Sequence, residues 1–258
     1  MDILYVIFHE VTAEGVNMLL TSLTSFRAVN KEATICLVMD NLDESACEYL
    51  WDRCKPIWNV RMSVADWVGR RMLCKIEKLY DLAHLLERAE GTHLIMADSD
   101  VFYGIDPFSA FEKEMAGHLF GVVERTSHLR FPVNGGMVFF SMSVAVTNMI
   151  GWWLEQANRI TWSTLKDVAI QRKWPDWFFD QDFLCAAYKD RIGLWKLSRV
   201  MCNVLPYKYN YFPEVDADPA WEQHMKEAYE RKDCVLHFKA EDLKKLIYKP
   251  WFKEYVAL

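Results

Sequence analysis

The sequence lacks several features that would place it in common classes of protein. It has no run of about 18 apolar residues, the length that a membrane-spanning helix needs. Its 36 acidic residues outnumber 30 basic ones, and the net charge of −6 provides no broad positive field that would attract nucleic acid. Internal repeats, low-complexity tracts and linkers rich in Pro or Gly are also missing. We therefore expect a single domain over residues 1–258 without a membrane span.

The seven cysteines lack the spacing of a zinc site. They form no C-x-x-C pair and no Cys/His cluster. An odd number of cysteines, together with an N-terminus that carries Asp2 and no basic segment, predicts reduced thiols and no secretory signal peptide. We expect a cytoplasmic protein, of the intracellular kind found in bacteria or viruses.

The apolar pattern predicts alternating strands and helices. Ile3–Phe8 and Ala33–Met39 are typical of buried parallel strands, and Thr12–Ser25 between them has apolar residues at helical spacing. Further predicted helices are Asp43–Lys55, Arg71–Ala89, Val144–Asn158 and Asp180–Lys189, and further strands are Ile57–Val64, His93–Ala97, Leu119–Val123, Gly136–Ser141 and Cys234–Phe238. With 52% apolar and 26% charged residues, the chain fits a folded α/β protein.

An acidic pair follows the predicted strand His93–Ala97. Asp98 and Asp100 stand where an open α/β sheet binds ligands, beyond the carboxyl end of a strand. Two carboxylates at this spacing can hold Mg²⁺ or Mn²⁺ while positions on the cation stay open for phosphate oxygens. A solvated structural turn is an alternative. A phosphohydrolase of the haloacid dehalogenase type is another, although its nucleophilic Asp normally follows the first strand.

Four motifs occur in a specific order along the chain. The first is the helix and strand of Lys75–Pro107, which end in HLIMADSDVFYGIDP, and the second is Asn134-Gly135-Gly136-Met137. The third is Asp180-Gln181-Asp182-Phe183-Leu184, and the fourth is His237 with Lys249-Pro250-Trp251. Together they resemble the glycosyltransferases of the GT-A fold, and most closely glycosyltransferase family eight, which includes glycogenin-like and bacterial galactosyltransferase-like enzymes. The resemblance implies a Rossmann-like mixed sheet flanked by helices. The gap from His237 to Lys249 is longer than in that family, and Lys239 or Lys244 could replace Lys249 as a phosphate ligand.

The resemblance also implies roles for individual residues. Asp98, Asp100 and His237 would hold the metal, with Asp98 also reaching the donor ribose, and a neutral imidazole suits Mn²⁺ better than Mg²⁺. The other implied contacts to the donor come from His9, Thr12, Lys75, Asn134, Gly135, Gly136 and Lys249. Asp180, Gln181 and Asp182 would lie beside the anomeric carbon. Each residue also has an ordinary structural explanation, such as Asp180 as a helix N-cap.

The predicted function is metal-dependent transfer of a hexose or pentose from a nucleotide-diphosphate sugar to an acceptor hydroxyl. By analogy the donor is a UDP-sugar, and Gln181 favours retention of the anomeric configuration. The acceptor is open between a glycan, a protein, a small molecule and a modified DNA base. The alternatives are a sugar nucleotidyltransferase, which would usually have a basic Gly-rich loop after its first strand, and an inactive sugar-nucleotide-binding module.

Overall fold

The computed structural model describes residues 2–8, 12–40, 42–57, 60–65, 71–86, 92–124, 133–159, 202–213, 219–238 and 245–253. Seven strands form one mixed sheet in the order β3-β2-β1-β4-β7-β6-β8, and two further strands, β5 and β9, form a small second sheet. Helices flank the large sheet. None of the described helices is both long enough and apolar enough to cross a bilayer.

Half of the large sheet is parallel and is built from consecutive β-α-β units. Its elements are β1 (Asp2–Phe8), α1 (Ala13–Val29), β2 (Thr34–Asp40), α2 (Glu44–Cys54), β3 (Val60–Ala65), α3 (Arg71–Leu86) and β4 (His93–Ala97). β1 pairs in parallel with both β2 and β4. Since Tyr5 pairs with Ala97, the carboxyl ends of β1 and β4 lie side by side at one edge of the sheet.

The other half of the sheet contains antiparallel pairs. The elements after β4 are β5 (Val101–Tyr103), α4 (Ser109–Lys113), β6 (Phe120–Glu124), β7 (Val133–Ser141), α5 (Val144–Arg159), β8 (Cys202–Leu205), α6 (Trp221–Arg231) and β9 (Val235–His237), with short 3-10 turns at Tyr207–Tyr209 and Lys245–Tyr248. β7 runs antiparallel to β4 and to β6, and it is buried along nearly its whole length. β8 closes this edge in parallel with β6.

The small sheet packs on the first helix. Backbone N–H of Tyr103 in β5 donates to Ser25 Oγ in α1, and the Tyr103 and Phe26 rings meet edge to face. On the other side of β5, Phe102 packs against Tyr229 of α6 and Phe252 near the C-terminus. These contacts hold β5 between two apolar clusters, one that contains Tyr103 and one that contains Phe102. They therefore also fix residues 98–100, which come directly before β5.

Most of the predicted elements are confirmed, with shifted ends. His93–Ala97 has the predicted bounds, α1 continues four residues past the predicted end at Ser25, and β7 begins at Val133 rather than Gly136. The elements α4, β5, β8 and α6 were not predicted, because they are short or contain few apolar residues at a regular spacing. The predicted helix Asp180–Lys189 and the end of the third helix near Gly91 lie outside the described residues.

Candidate metal centre

The acidic pair bridges the two sheets. Backbone N–H of Asp98 donates to Gly136 O in β7 at 2.9 Å, which extends the β4–β7 ladder by one residue. Asp100 O accepts from Phe238 N at 2.8 Å, which extends the β5–β9 ladder in the same way. Each aspartate is thus held by the backbone of a different sheet. The sharp turn between them directs both carboxylates to the seam where the sheets meet.

His237 reaches this seam from the far end of the chain. It ends β9, where it pairs with Val101, the residue that follows Asp100. Its backbone N–H donates to Tyr211 O at 2.9 Å, and Phe212 lies edge-on to the imidazole with ring centroids 6.0 Å apart. The imidazole is only 1% exposed, so its position is fixed by packing.

The three side chains converge. His237 Nε2 lies 3.2 Å from Asp100 Oδ1 and 3.6 Å from Asp98 Oδ2. One donor atom from each of the three residues lies within 4.8 Å of the others. The Asp98 and Asp100 side chains keep 36% and 20% of their exposure, so the cluster is open to ligands on the carboxylate side and closed behind the imidazole.

This donor set fits a divalent cation. Two carboxylate oxygens and one imidazole nitrogen are suitable ligands for Mn²⁺, and such a cation would keep other positions for water or phosphate. Two adjacent carboxylates around one imidazole also leave excess negative charge that a cation would offset. The Cys234 thiol belongs to the apolar cluster that includes Phe102 and Leu236, and burial raises its pKa to about 12.

A bulge in β7 makes room for the imidazole. The register between β6 and β7 jumps between Val122 and Val123, which pair with Val138 and Asn134 respectively. The bulged residues include Gly136, where a Cβ atom would lie 2.2 Å from Cε1 of His237. Only glycine fits there. The implied contact of this glycine with the donor sugar stays a prediction, and the structure shows that the imidazole by itself requires a glycine here.

Asn134 holds the bulge and the imidazole together. Its Oδ1 accepts from Gly136 N at 3.1 Å, a local turn in which the side chain bonds the backbone two residues on. Its Nδ2 lies 3.2 Å from His237 Nδ1, and the residue is completely buried. Asn134 thus lies behind the imidazole in the triad of Asp98, Asp100 and His237. Its predicted contact to the donor sugar stays a prediction.

Other predicted donor contacts lie on the parallel half. Thr12 is the N-cap of α1, and its side chain accepts from Gly15 N at 3.0 Å, which by itself accounts for the residue. Lys75 belongs to the first half of α3, whose side chains are not described. His9 lies outside the described residues, as do Asp180, Gln181 and Asp182.

Lys249 has an ionic partner of its own. Its Nζ lies 3.0 Å from Glu222 Oε1, and both side chains are nearly half exposed. A role as a phosphate ligand would require the ammonium to leave or share this carboxylate. Lys239 and Lys244, the alternatives, lie outside the described residues.

The sequence did not identify the residues that pack against His237, which are Tyr211 and Phe212. Tyr211 and Phe212 belong to a segment without regular structure, and they contact His237 through a backbone carbonyl and a ring edge. Neither contact leaves a periodic signal. The signal that could have pointed to this segment is its density of aromatic residues, which are Tyr207, Tyr209, Tyr211 and Phe212.

A comparison with models of protein families places the chain in a known family. The family described as nucleotide-diphospho-sugar transferase matches residues 32–245, most of the chain. No curated protein matches it at a significant level of sequence similarity.

Several solved structures share the fold. Mouse xyloside xylosyltransferase 1 in its apo form has 12% identity and a TM-score of 0.55, over 93% of this chain and 98% of that protein. The galactosyltransferase LgtC, solved with donor and acceptor sugar analogues, has 13% identity and a TM-score of 0.54, over 100% and 91%. Apo GlyE from Streptococcus pneumoniae has 11% identity and a TM-score of 0.60, over 99% of this chain and 60% of that protein.

These structures confirm the predicted mixed α/β fold of the GT-A type. The family match supports sugar transfer over the nucleotidyltransferase alternative. The chain belongs to the nucleotide-diphospho-sugar transferases, and it is a glycosyltransferase of the GT-A fold.

Proposed function

We propose that the chain transfers a sugar from a UDP-sugar in a reaction that depends on a divalent cation held by Asp98, Asp100 and His237. The observation that carries the proposal is the convergence of these three side chains, 139 positions apart in sequence between Asp98 and His237, within 4.8 Å at the seam of the two sheets. A histidine buried to 1% exposure and aimed at two carboxylates is an unusual arrangement for a purely structural turn.

The cation would act on the leaving group. When the bond from the anomeric carbon to the diphosphate breaks, negative charge builds on the departing phosphate oxygens. Preorganised positive charge at that point is usually the largest catalytic term, and a bound metal ion supplies it. The residues of this chain hold the site in place: Asp98 and Asp100 through two backbone ladders, and His237 through its burial.

The donor and the stereochemistry follow from the resemblance to family eight. We propose that Thr12 and His9 lie near the nucleotide base, that Lys75 and Lys249 approach the phosphates, and that Gly135 and Gly136 approach the sugar. Asp180, Gln181 and Asp182 would lie at the anomeric carbon, with Gln181 on the face opposite the leaving group and the configuration retained. The acceptor is a glycan, a protein, a small molecule or a modified DNA base. Residues 1–258 would act as one domain.

The metal site can be tested by thermal stability. UDP with Mn²⁺ is expected to raise the melting temperature of the wild type, since a ligand that binds the folded state alone stabilises it. Asp100→Ala should abolish the shift and leave the metal-free protein near its original stability. Glu112→Ala, which removes an exposed carboxylate from α4, is the matched control and should keep the shift. Equal shifts in wild type and Asp100→Ala would refute the metal assignment.

The stereochemistry requires a separate measurement. A panel of UDP-sugars, screened for melting shifts with Mn²⁺, identifies the donor. Nuclear magnetic resonance of the first product formed from that donor should then show the anomeric configuration of the donor. An inverted first product would contradict the placement in family eight without affecting the metal site.

A further inference from the structure

The contacts of Asn134 determine which nitrogen of His237 carries the proton. The backbone N–H of Gly136 can only donate, so the atom of Asn134 that faces it at 3.1 Å must be the carbonyl oxygen Oδ1. The amide nitrogen Nδ2 then faces His237 Nδ1 at 3.2 Å. Because an amide nitrogen is a donor, Nδ1 must accept, and the proton of the neutral imidazole resides on Nε2.

The opposite nitrogen fits this assignment. Nε2 lies 3.2 Å from Asp100 Oδ1 and 3.6 Å from Asp98 Oδ2, both acceptors when ionised. An N–H on Nε2 therefore donates to Asp100. Among the described residues, the contacts of Nδ1 and of Nε2 therefore agree with one tautomer in the protein without a cation.

A cation requires the other tautomer. Nε2 can bind a metal ion only through its lone pair, so the proton must move by exchange with water to Nδ1, and the imidazole stays neutral. The N–H on Nδ1 then faces the donor Nδ2 of Asn134. If the amide turns over to offer its oxygen to Nδ1, its nitrogen faces the N–H of Gly136 instead. Either way one buried hydrogen bond is lost.

We propose that Asn134 is a positioning residue that holds the His237 proton on Nε2 and thereby weakens the binding of a divalent cation in the absence of nucleotide. Metal-bound histidines usually donate their second nitrogen to a carboxylate or carbonyl, which strengthens the ligand. Asn134 presents a donor at that place. The consequence for metal affinity rests on the proposed function of the triad, whereas the tautomer assignment rests on the contacts alone.

Asn134→Asp reverses the hydrogen bonding with almost no change of shape. One carboxylate oxygen still accepts from Gly136 N, and the other accepts an N–H from His237 Nδ1. We expect the variant to hold the proton on Nδ1 and to bind Mn²⁺ without nucleotide roughly tenfold or more tightly than the wild type, the range found for second-shell partners of metal-bound histidine.

The experiment reads the tautomer directly. Metal-free protein labelled with ¹⁵N-histidine is examined by nuclear magnetic resonance at about pH 8.5, where an ordinary histidine is neutral, and the His237→Gln variant identifies the signal. The wild type should show Nε2–H and Asn134→Asp should show Nδ1–H. An Nδ1–H signal in the wild type would overturn the proposal, even if the variant does not fold.

Titration with Mn²⁺ alone completes the test. A higher affinity in Asn134→Asp that disappears when Asp100→Ala is added supports the proposal, and an equal or lower affinity overturns its second part. If neither protein binds Mn²⁺ even with UDP present, the proposed metal site fails, while the tautomer measurement still decides the role of Asn134.

Discussion

The parallel and antiparallel halves of the large sheet differ in how they contribute to the site. The parallel half, β3-β2-β1-β4, is regular, and its register continues without interruption. The antiparallel half contains the bulge in β7 and the junction with the small sheet. Both irregularities lie directly behind the triad. Regular pairing thus delivers the two aspartates, and the departures from regular pairing create the space that the histidine occupies.

The difference has a physical reason. A strand residue with a side chain projects it from the face of the sheet, and at Gly136 that side chain would enter the space of the His237 ring. The bulge at Gly136 replaces a side chain with a hydrogen atom, and the imidazole of His237 fills that opening. The site therefore depends on an irregular backbone more than on the core of either half.

The largest expected effect comes from closing the opening. In Gly136→Ala the added Cβ would lie 2.2 Å from the His237 ring, so the ring must move away from the aspartates. We expect loss of the Mn²⁺-dependent melting shift with UDP, and a fall in the free energy of unfolding of about 1–3 kcal/mol from overpacking. Binding calorimetry and thermal denaturation measure the two effects.

Gly121→Ala is the matched control in the same half of the sheet. Its Cβ would lie 2.5 Å from Met115 Sδ and 3.0 Å from Leu205 Cδ1, two flexible side chains of a core cluster that does not include His237. It should reduce stability to a similar or smaller extent and keep the metal-dependent shift. If Gly136→Ala and Gly121→Ala both lose the melting shift, the loss of Mn²⁺ and UDP binding reflects lower stability of the whole protein and not the space at Gly136.

An intermediate effect is expected at the edge of the parallel half. Thr12→Ala removes the N-cap of α1 and should lower the free energy of unfolding by about 1 kcal/mol. Thr12→Ser keeps the capping oxygen and should restore it. If the residue also contacts the donor, Thr12→Ala weakens UDP binding by more than Thr12→Ser does, and equal affinities would leave Thr12 a structural residue.

The smallest effect is expected at the half-exposed pair of Lys249 and Glu222. Exposed ion pairs contribute about 0–1 kcal/mol, so Glu222→Gln should change stability little. If Lys249 binds the diphosphate, release from Glu222 should leave the affinity for UDP with Mn²⁺ unchanged or a few-fold higher, while Lys249→Ala lowers it. An unchanged affinity in Lys249→Ala would remove this lysine from the site.

The parallel half could be predicted from sequence because its signals are local. Apolar runs of five to seven residues alternate with helices of regular spacing, and the acidic pair follows β4 directly. Asp98 and Asp100 were thus found from strand position. The start of α2 is local in the same sense: the predicted helix begins at Asp43, which the structure shows to be the N-cap, with its side chain accepting from Ala46 N.

The antiparallel half depends on contacts between distant parts of the chain. Nothing near Val101 shows that it pairs with His237. The resemblance to a family, not periodicity, joined His237 to the acidic pair. The same holds for Asn134: its fully buried amide lies between the Gly136 backbone and the imidazole, a placement that requires the bulge to be known first. The strand β5 is three residues long, too short for any pattern to be recognised.

We propose that Asp98, Asp100 and His237 hold one cation together. Crystals grown with UDP and Mn²⁺, with diffraction recorded near the manganese absorption edge, locate that ion directly. We expect one anomalous peak within bonding distance of a carboxylate oxygen of each aspartate, of Nε2 of His237 and of the diphosphate. A peak elsewhere, or nucleotide bound with no peak at the triad, would contradict it.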